Sequence, residues 1–132
     1  MENQSFYRGM FVVASLYDLV LGLGFFLFYP AIYAWLSIQA PDSPSYLHMA
    51  AAFVFVQGVG YAFVWRNLER NVDIIRLGII YKLAYAGVVF YYWAAGQLPH
   101  LVYAGFGLLD LVFVVLFVQA LKAIGRASKP RG

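Results

Sequence analysis

The sequence predicts an all-α membrane protein: an antiparallel bundle of four transmembrane helices, both termini cytoplasmic, with a short interfacial helix between helices 1 and 2. Three observations carry this expectation. Of the 132 residues, 64% are hydrophobic and only 11% are charged, with a mean hydropathy of +0.75, whereas soluble domains run at roughly 45–50% apolar and about 25% charged. Four apolar runs each approach or exceed the roughly 20 residues that cross about 30 Å of hydrocarbon. The basic residues, finally, gather on one side of those runs. In lipid the backbone must satisfy its own hydrogen bonds, and runs this long exceed barrel strands, so helices follow.

Helix 1 is expected at about 10–29, MFVVASLYDLVLGLGFFLFY, ending before Pro30, whose ring disfavours the α region at Tyr29. In the following AIYAWLSIQ, Ile32, Trp35, Leu36 and Gln39 recur at helical spacing. That pattern suits a short interfacial helix, with a Pro-kinked continuation of helix 1 as the competing reading. PDSPS leads into helix 2 at about 46–65, RNLERN into helix 3 at about 72–95, and GQLPH into helix 4 at about 99–122. Connections as short as the last two force antiparallel neighbours. The length fits one domain, 1–132, whose residues 123–132 are expected as a basic flexible tail. The first apolar run is longer than a usual signal-peptide core and lacks a clear cleavage site, so a removable leader is not expected.

Orientation follows from charge. Arg8, Arg66, Arg70, Arg76, Lys122, Arg126, Lys129 and Arg131 all fall on one side of an up-and-down bundle, while the opposite loops carry Asp42, His48 and His100. The positive-inside rule then places both termini in the cytoplasm, in a multi-pass protein of the bacterial inner membrane. The lipid bilayer is its first partner. Topology accounts for the +3 charge and the pI near 9.2, so no nucleic acid is expected. The chain has no cysteine, which excludes disulfides, thiol relays and Cys-ligated clusters.

One basic residue breaks the pattern: Lys82 sits in the middle of GIIYKLAYAGVVFYYW. At about 1.5 Å per residue it lies about 16 Å from the cytoplasmic side, and Asp18, Gln57 and Asp110 lie about 15, 14 and 18 Å deep on the other helices. Each helix therefore brings one strongly polar side chain to nearly the same level. A charge at a helix centre costs roughly 2.5–3.5 kcal/mol on insertion scales, and such residues face the bundle interior and pair. Lys82 is expected to meet Asp18, Asp110 or both, with Gln57 completing the hydrogen bonding. Small residues four positions away, Ala14 and Gly22 around Asp18 and Gly78 and Ala86 around Lys82, support inward faces. Tyr61 and Tyr85, with Tyr17 and Tyr81, are candidates to bring hydroxyls to this layer. Two acids and one lysine leave a net charge of −1 if all ionise, so one carboxyl is expected to hold or share a proton. Asp18, Gln57, Lys82, Asp110, Tyr61 and Tyr85 thus form a candidate ligand or proton site, against the plainer reading that the charges only fix helix register.

Other features read as ordinary. His48 and His100 start helices at the outer interface, and two histidines without carboxylates make a poor metal site, so neither a metal nor a cofactor is expected. Trp35, Trp65 and Trp93 suit headgroup anchoring. Gly58-x-x-x-Ala62 suits packing within the bundle more than association. LYDLV at 16–20 partly matches LLDLV at 108–112, which chance composition explains. No nucleophile, base and acid set is visible.

The chain resembles the small bacterial four-helix membrane proteins that include the DoxX-like families. The resemblance lies in FVVASLYDLVLGLGFFLFYP, the GVGYAFVWRN exit from helix 2, the lysine of GIIYKLAYAG and the acid of GLLDLV. It implies a compact single-domain bundle. Some relatives are linked to quinone or thiol redox complexes, but this chain has no matching redox residue. Three classes of function stay open. An accessory or scaffold component contacting a membrane protein partner or a second copy leads, followed by binding or proton-coupled transport of a small amphipathic ligand. The third is a lipid or sterol isomerase using Asp18 or Asp110, with an enzyme the less favoured reading.

Overall fold

The computed structural model describes residues 1–129; Arg131 and the last residues of the expected basic tail, 130–132, lie outside them. The described chain is helical and has no strand. Its elements are α1 (Gln4–Trp35), α2 (Ser45–Arg66), a 3-10 turn (Glu69–Asn71), α3 (Val72–Ala94) and α4 (Val102–Ser128). All four helices are long and apolar enough to cross a membrane.

α1 and α2 form one antiparallel hairpin, α3 and α4 the other. The first is closed by small residues. A Cβ added at Gly22 would lie 2.6 Å from the Phe55 amide nitrogen and 2.7 Å from the Ala51 carbonyl oxygen, and one at Gly58 would lie 2.8 Å from the Leu19 nitrogen. Only glycine lets the two backbones approach this closely. Gly58 therefore serves packing within the bundle, where Ser15 Oγ also donates a 2.7 Å hydrogen bond to its carbonyl oxygen. At the end carrying the termini, Arg8 Nε donates to the Trp65 carbonyl oxygen at 3.0 Å.

The short turns are built from side chains as well as sequence length. Asn71 Nδ2 donates to the carbonyl oxygens of Phe63 and Asn67 at 2.9 and 2.8 Å, tying the turn to the end of α2. Gly96, at φ +70, ends α3 in the left-handed conformation that glycine adopts without penalty.

α1 differs from expectation. It starts at Gln4 and runs through Pro30 to Trp35, with a kink at Phe28 (φ −123, ψ 20). The segment after Pro30 is helical and is set off from the rest of α1 by the non-helical Phe28. A proline inside a helix removes one amide donor and crowds the carbonyl four residues back, here that of Phe26, so the helix bends without ending. Ser37, at φ 58, then terminates it in a left-handed conformation. Because a side chain there costs about 1 kcal/mol, Ser37→Gly should raise stability by about that much, read as a higher midpoint of thermal unfolding in detergent.

α2 and α3 begin and end within a residue or so of the expected spans. α4 starts later, at Val102, where the His100 Nδ1 accepts the Val102 amide proton at 2.9 Å, and it continues past Lys122 to Ser128. Residues 123–128 of the expected tail are therefore helical. Helix ends can pass hydrocarbon ends, since their backbone bonds are internal wherever they lie.

Candidate functional site

The inward stripe of each helix is set by sequence spacing. On α3 the buried residues are Ile75, Gly78, Lys82, Ala86 and Val89, and on α4 they include Ala104, Gly107, Asp110, Phe113 and Phe117. Steps of three and four keep each set on one face. On α1, Ala14, Ser15, Asp18 and Gly22 follow the same rule.

These stripes bring three charges together. Lys82 Nζ donates to Asp110 Oδ1 at 2.9 Å and lies 3.7 Å from Asp18 Oδ1. Lys82 is 0% exposed, Asp18 2% and Asp110 5%. Three rings complete the enclosure of the ammonium: those of Phe113, Tyr61 and Tyr17, whose centroids lie 4.9, 5.4 and 5.7 Å away. A cation within about 6 Å of a ring centroid gains from the ring quadrupole. One lysine thus ties α1, α3 and α4 through charge, and α2 through the ring of Tyr61.

The layer is not fully satisfied. Asp18 Oδ2, Gln57 Nε2 and the hydroxyls of Tyr17 and Tyr61 are buried without a hydrogen-bond partner. Each unmet buried group costs about 1–3 kcal/mol. Gln57 is half-buried and makes no hydrogen bond to Lys82 or to either carboxylate; the ammonium is already enclosed by two acids and three rings. Tyr81 and Tyr85 are half-buried beside the layer.

The two sides of this layer are built differently. Toward the termini, the core is dense: Phe11, Ala14, Tyr61, Val64, Ile75 and Phe117 have no exposed surface. Phe11 and Phe117 stack at 4.8 Å between ring centroids. Gly78 makes room there, since a Cβ on it would lie 2.8 Å from the Tyr61 ring. Away from the termini the bundle is more open. A cleft of about 310 Å³ lies among all four helices, walled by the rings of Phe25, Tyr33, Tyr85, Tyr92, Tyr103 and Phe106 and by small residues such as Ala50 and Gly22, with Ala50, Val88 and Tyr92 exposed at its rim. Beneath it is a void of about 20 Å³ touched by Asp18, Asp110, Tyr17 and Tyr81. Leu21, Val54 and Tyr85 line both spaces. Leu21 and Tyr85 are one turn beyond Asp18 and Lys82, and Val54 is one turn before Gln57, so these three side chains form the partition shared by the two spaces.

Sequence reading missed this partition and most of the aromatic wall. The available signal was positional: Leu21, Phe25, Tyr92, Tyr103 and Phe106 extend the inward stripes outward from the polar residues. His48 packs against Phe26 and Tyr29, at 4.7 and 5.5 Å between ring centroids. A further cleft of about 350 Å³ lies between Met1–Asn3 and the end of α4, far from the charges.

Fold and site together define a four-helix bundle of membrane-spanning length in which an Asp–Lys–Asp cluster underlies an apolar, ring-walled cavity. Comparison with protein-family models, with curated proteins and with solved structures finds no match to this chain.

Proposed function

We propose that this protein resides in the bacterial cytoplasmic membrane and binds a small amphipathic molecule between its helices. Residues such as Val20, Phe53, Ile80 and Val115, each more than half exposed, suit lipid contact, since so many exposed apolar side chains are a liability in water. The basic residues of the termini end and the loop after α2 favour a cytoplasmic location for both termini. The cavity then lies in the outer half of the membrane. The helical segment beyond the Phe28 kink, with its exposed Trp35, suits the outer headgroup boundary. The DoxX-like resemblance belongs to the same reading, with Lys82 and Asp110 as its central lysine and acid.

The observation that carries the binding reading is the cavity, whose partition also faces the void at Asp18 and Asp110. Ligand sites are concave, mostly apolar and supplied with a few convergent polar groups, starting near about 300 Å³. The dense half below the charges offers no continuation, which favours binding over passage through the bundle. The neutral fluorophore N-phenyl-1-naphthylamine tests this in lipid nanodiscs. Its fluorescence should rise saturably above that of empty nanodiscs, and Ala50→Trp, which fills the cavity wall, should weaken its binding by about tenfold, the equivalent of about 1.4 kcal/mol. A signal no greater than that of empty nanodiscs, or one indifferent to Ala50→Trp, would remove the reading.

The accessory or scaffold role has one observation in its favour: the Lys82 ammonium is wholly enclosed, as a charge used to hold helices would be. Loss of stability in layer variants with no ligand response in any of them would support that role.

A further inference from the structure

We propose that the site's ligand is a lipophilic amine whose ammonium group enters the void beside Asp18; this rests on the binding reading above. The first ground is charge. Two carboxylates and one ammonium share the layer, so it lacks one positive charge for neutrality, and in a low-dielectric core an unbalanced charge is strongly disfavoured. A bound ammonium would supply that charge. The second ground is an unmet acceptor. Asp18 is almost completely buried, yet its Oδ2 has no partner, while Lys82 is already committed to Oδ1 of both acids. Asp18 Oδ2 is therefore open to a donor, and the unpaired hydroxyl of Tyr17 lines the same void. An anionic head would meet two carboxylates with the only cation taken.

Size and wall agree with that chemistry. The void of about 20 Å³ exceeds the roughly 10–15 Å³ that one water needs, and an ammonium head is of similar size. The tail would occupy the cavity of about 310 Å³, where the tyrosine and phenylalanine rings offer apolar contact and electron-rich faces to the positive end as it enters. From the cleft, the head would approach Asp18 past Leu21, Val54 and Tyr85, which line both spaces. Tyr85 is half-buried and lines both spaces, so its side chain is the part of the partition we expect to swing.

Three probes with one ring and nearly one length separate the possibilities: 2-phenylethylamine, 2-phenylethanol and 3-phenylpropionate. Binding to the full chain in zwitterionic nanodiscs is read by calorimetry, with empty nanodiscs subtracted. The amine should bind about tenfold or more tightly than the alcohol, as a charge-assisted hydrogen bond implies, and the carboxylate should bind weakest. Asp18→Asn should bring the amine down to the level of the alcohol. Val54→Trp, which occupies the partition and leaves every charge in place, should abolish the preference even if Asp18→Asn does not fold. Equal affinity for amine and carboxylate, or an amine preference that survives Val54→Trp, would overturn the amine assignment and leave cavity binding standing. No binding of any probe, together with a failed fluorophore test, would overturn both.

Discussion

Lys82→Met should destabilise the bundle by about 3–5 kcal/mol, the cost of stripping one partner from a buried ion pair. The substitution keeps most of the side-chain volume, so the loss is electrostatic. Asp110 loses its 2.9 Å donor and Asp18 its 3.7 Å counter-charge. Adding Asp18→Asn and Asp110→Asn to Lys82→Met should therefore restore a large part of the lost stability, because a neutral layer needs no counter-ion. Denaturation midpoints in a fixed detergent measure both changes. A triple variant no more stable than Lys82→Met would mean that the charges matter through shape, not through their mutual neutralisation.

Gly22→Ala should be the most damaging single methyl group in the molecule, at about 3 kcal/mol, the upper part of the usual overpacking range. The added carbon meets backbone atoms, the Phe55 nitrogen at 2.6 Å and the Ala51 oxygen at 2.7 Å, and backbone in a helix cannot rotate aside. α1 and α2 must separate. Gly87 is the control, since a Cβ there meets nothing within 4 Å. Gly87→Ala should be neutral or stabilising by up to about 1 kcal/mol, the ordinary helix preference for alanine. Comparable losses at both positions would show that helix propensity, and not close approach, governs these glycines. Gly58→Ala, at the same interface, should add less than its full effect to Gly22→Ala, because one separation relieves both contacts.

How much of this was legible in the sequence differs from element to element. α2 and α3 were readable because charge, asparagine and glycine coincide with their ends, so hydropathy and turn chemistry agree. α1 was not, for two physical reasons: hydropathy fades before a helix must stop, and Pro30 bends a helix whose neighbouring turns are held by their own bonds. The overshoot of α4 past Lys122 has the first cause. The level shared by Asp18, Gln57, Lys82 and Asp110 could be counted, since rise per residue is fixed in a helix. Which of those groups bond could not. The distance from Lys82 to each acid depends on helix rotation and on the rings of Tyr17, Tyr61 and Phe113. The open half was harder still. Phe11, Tyr61, Phe113 and Phe117 fill one half, while in the other the rings of Phe25, Tyr33, Tyr103 and Phe106 line a space without filling it, and which rings meet on the axis appears only once the stripes face one another.

The division into a sealed half and an open half, with Lys82 and its two acids between them, is tested most directly by cysteine labelling. The chain has no cysteine of its own, so each introduced thiol reports alone. Val89→Cys lies in the cavity wall, and Ala120→Cys in the dense core; both positions are buried. In nanodiscs, a small methanethiosulfonate reagent should modify the thiol at position 89 readily and leave the one at 120 intact until the protein is unfolded. Equal protection at the two positions, or faster modification at 120, would contradict it.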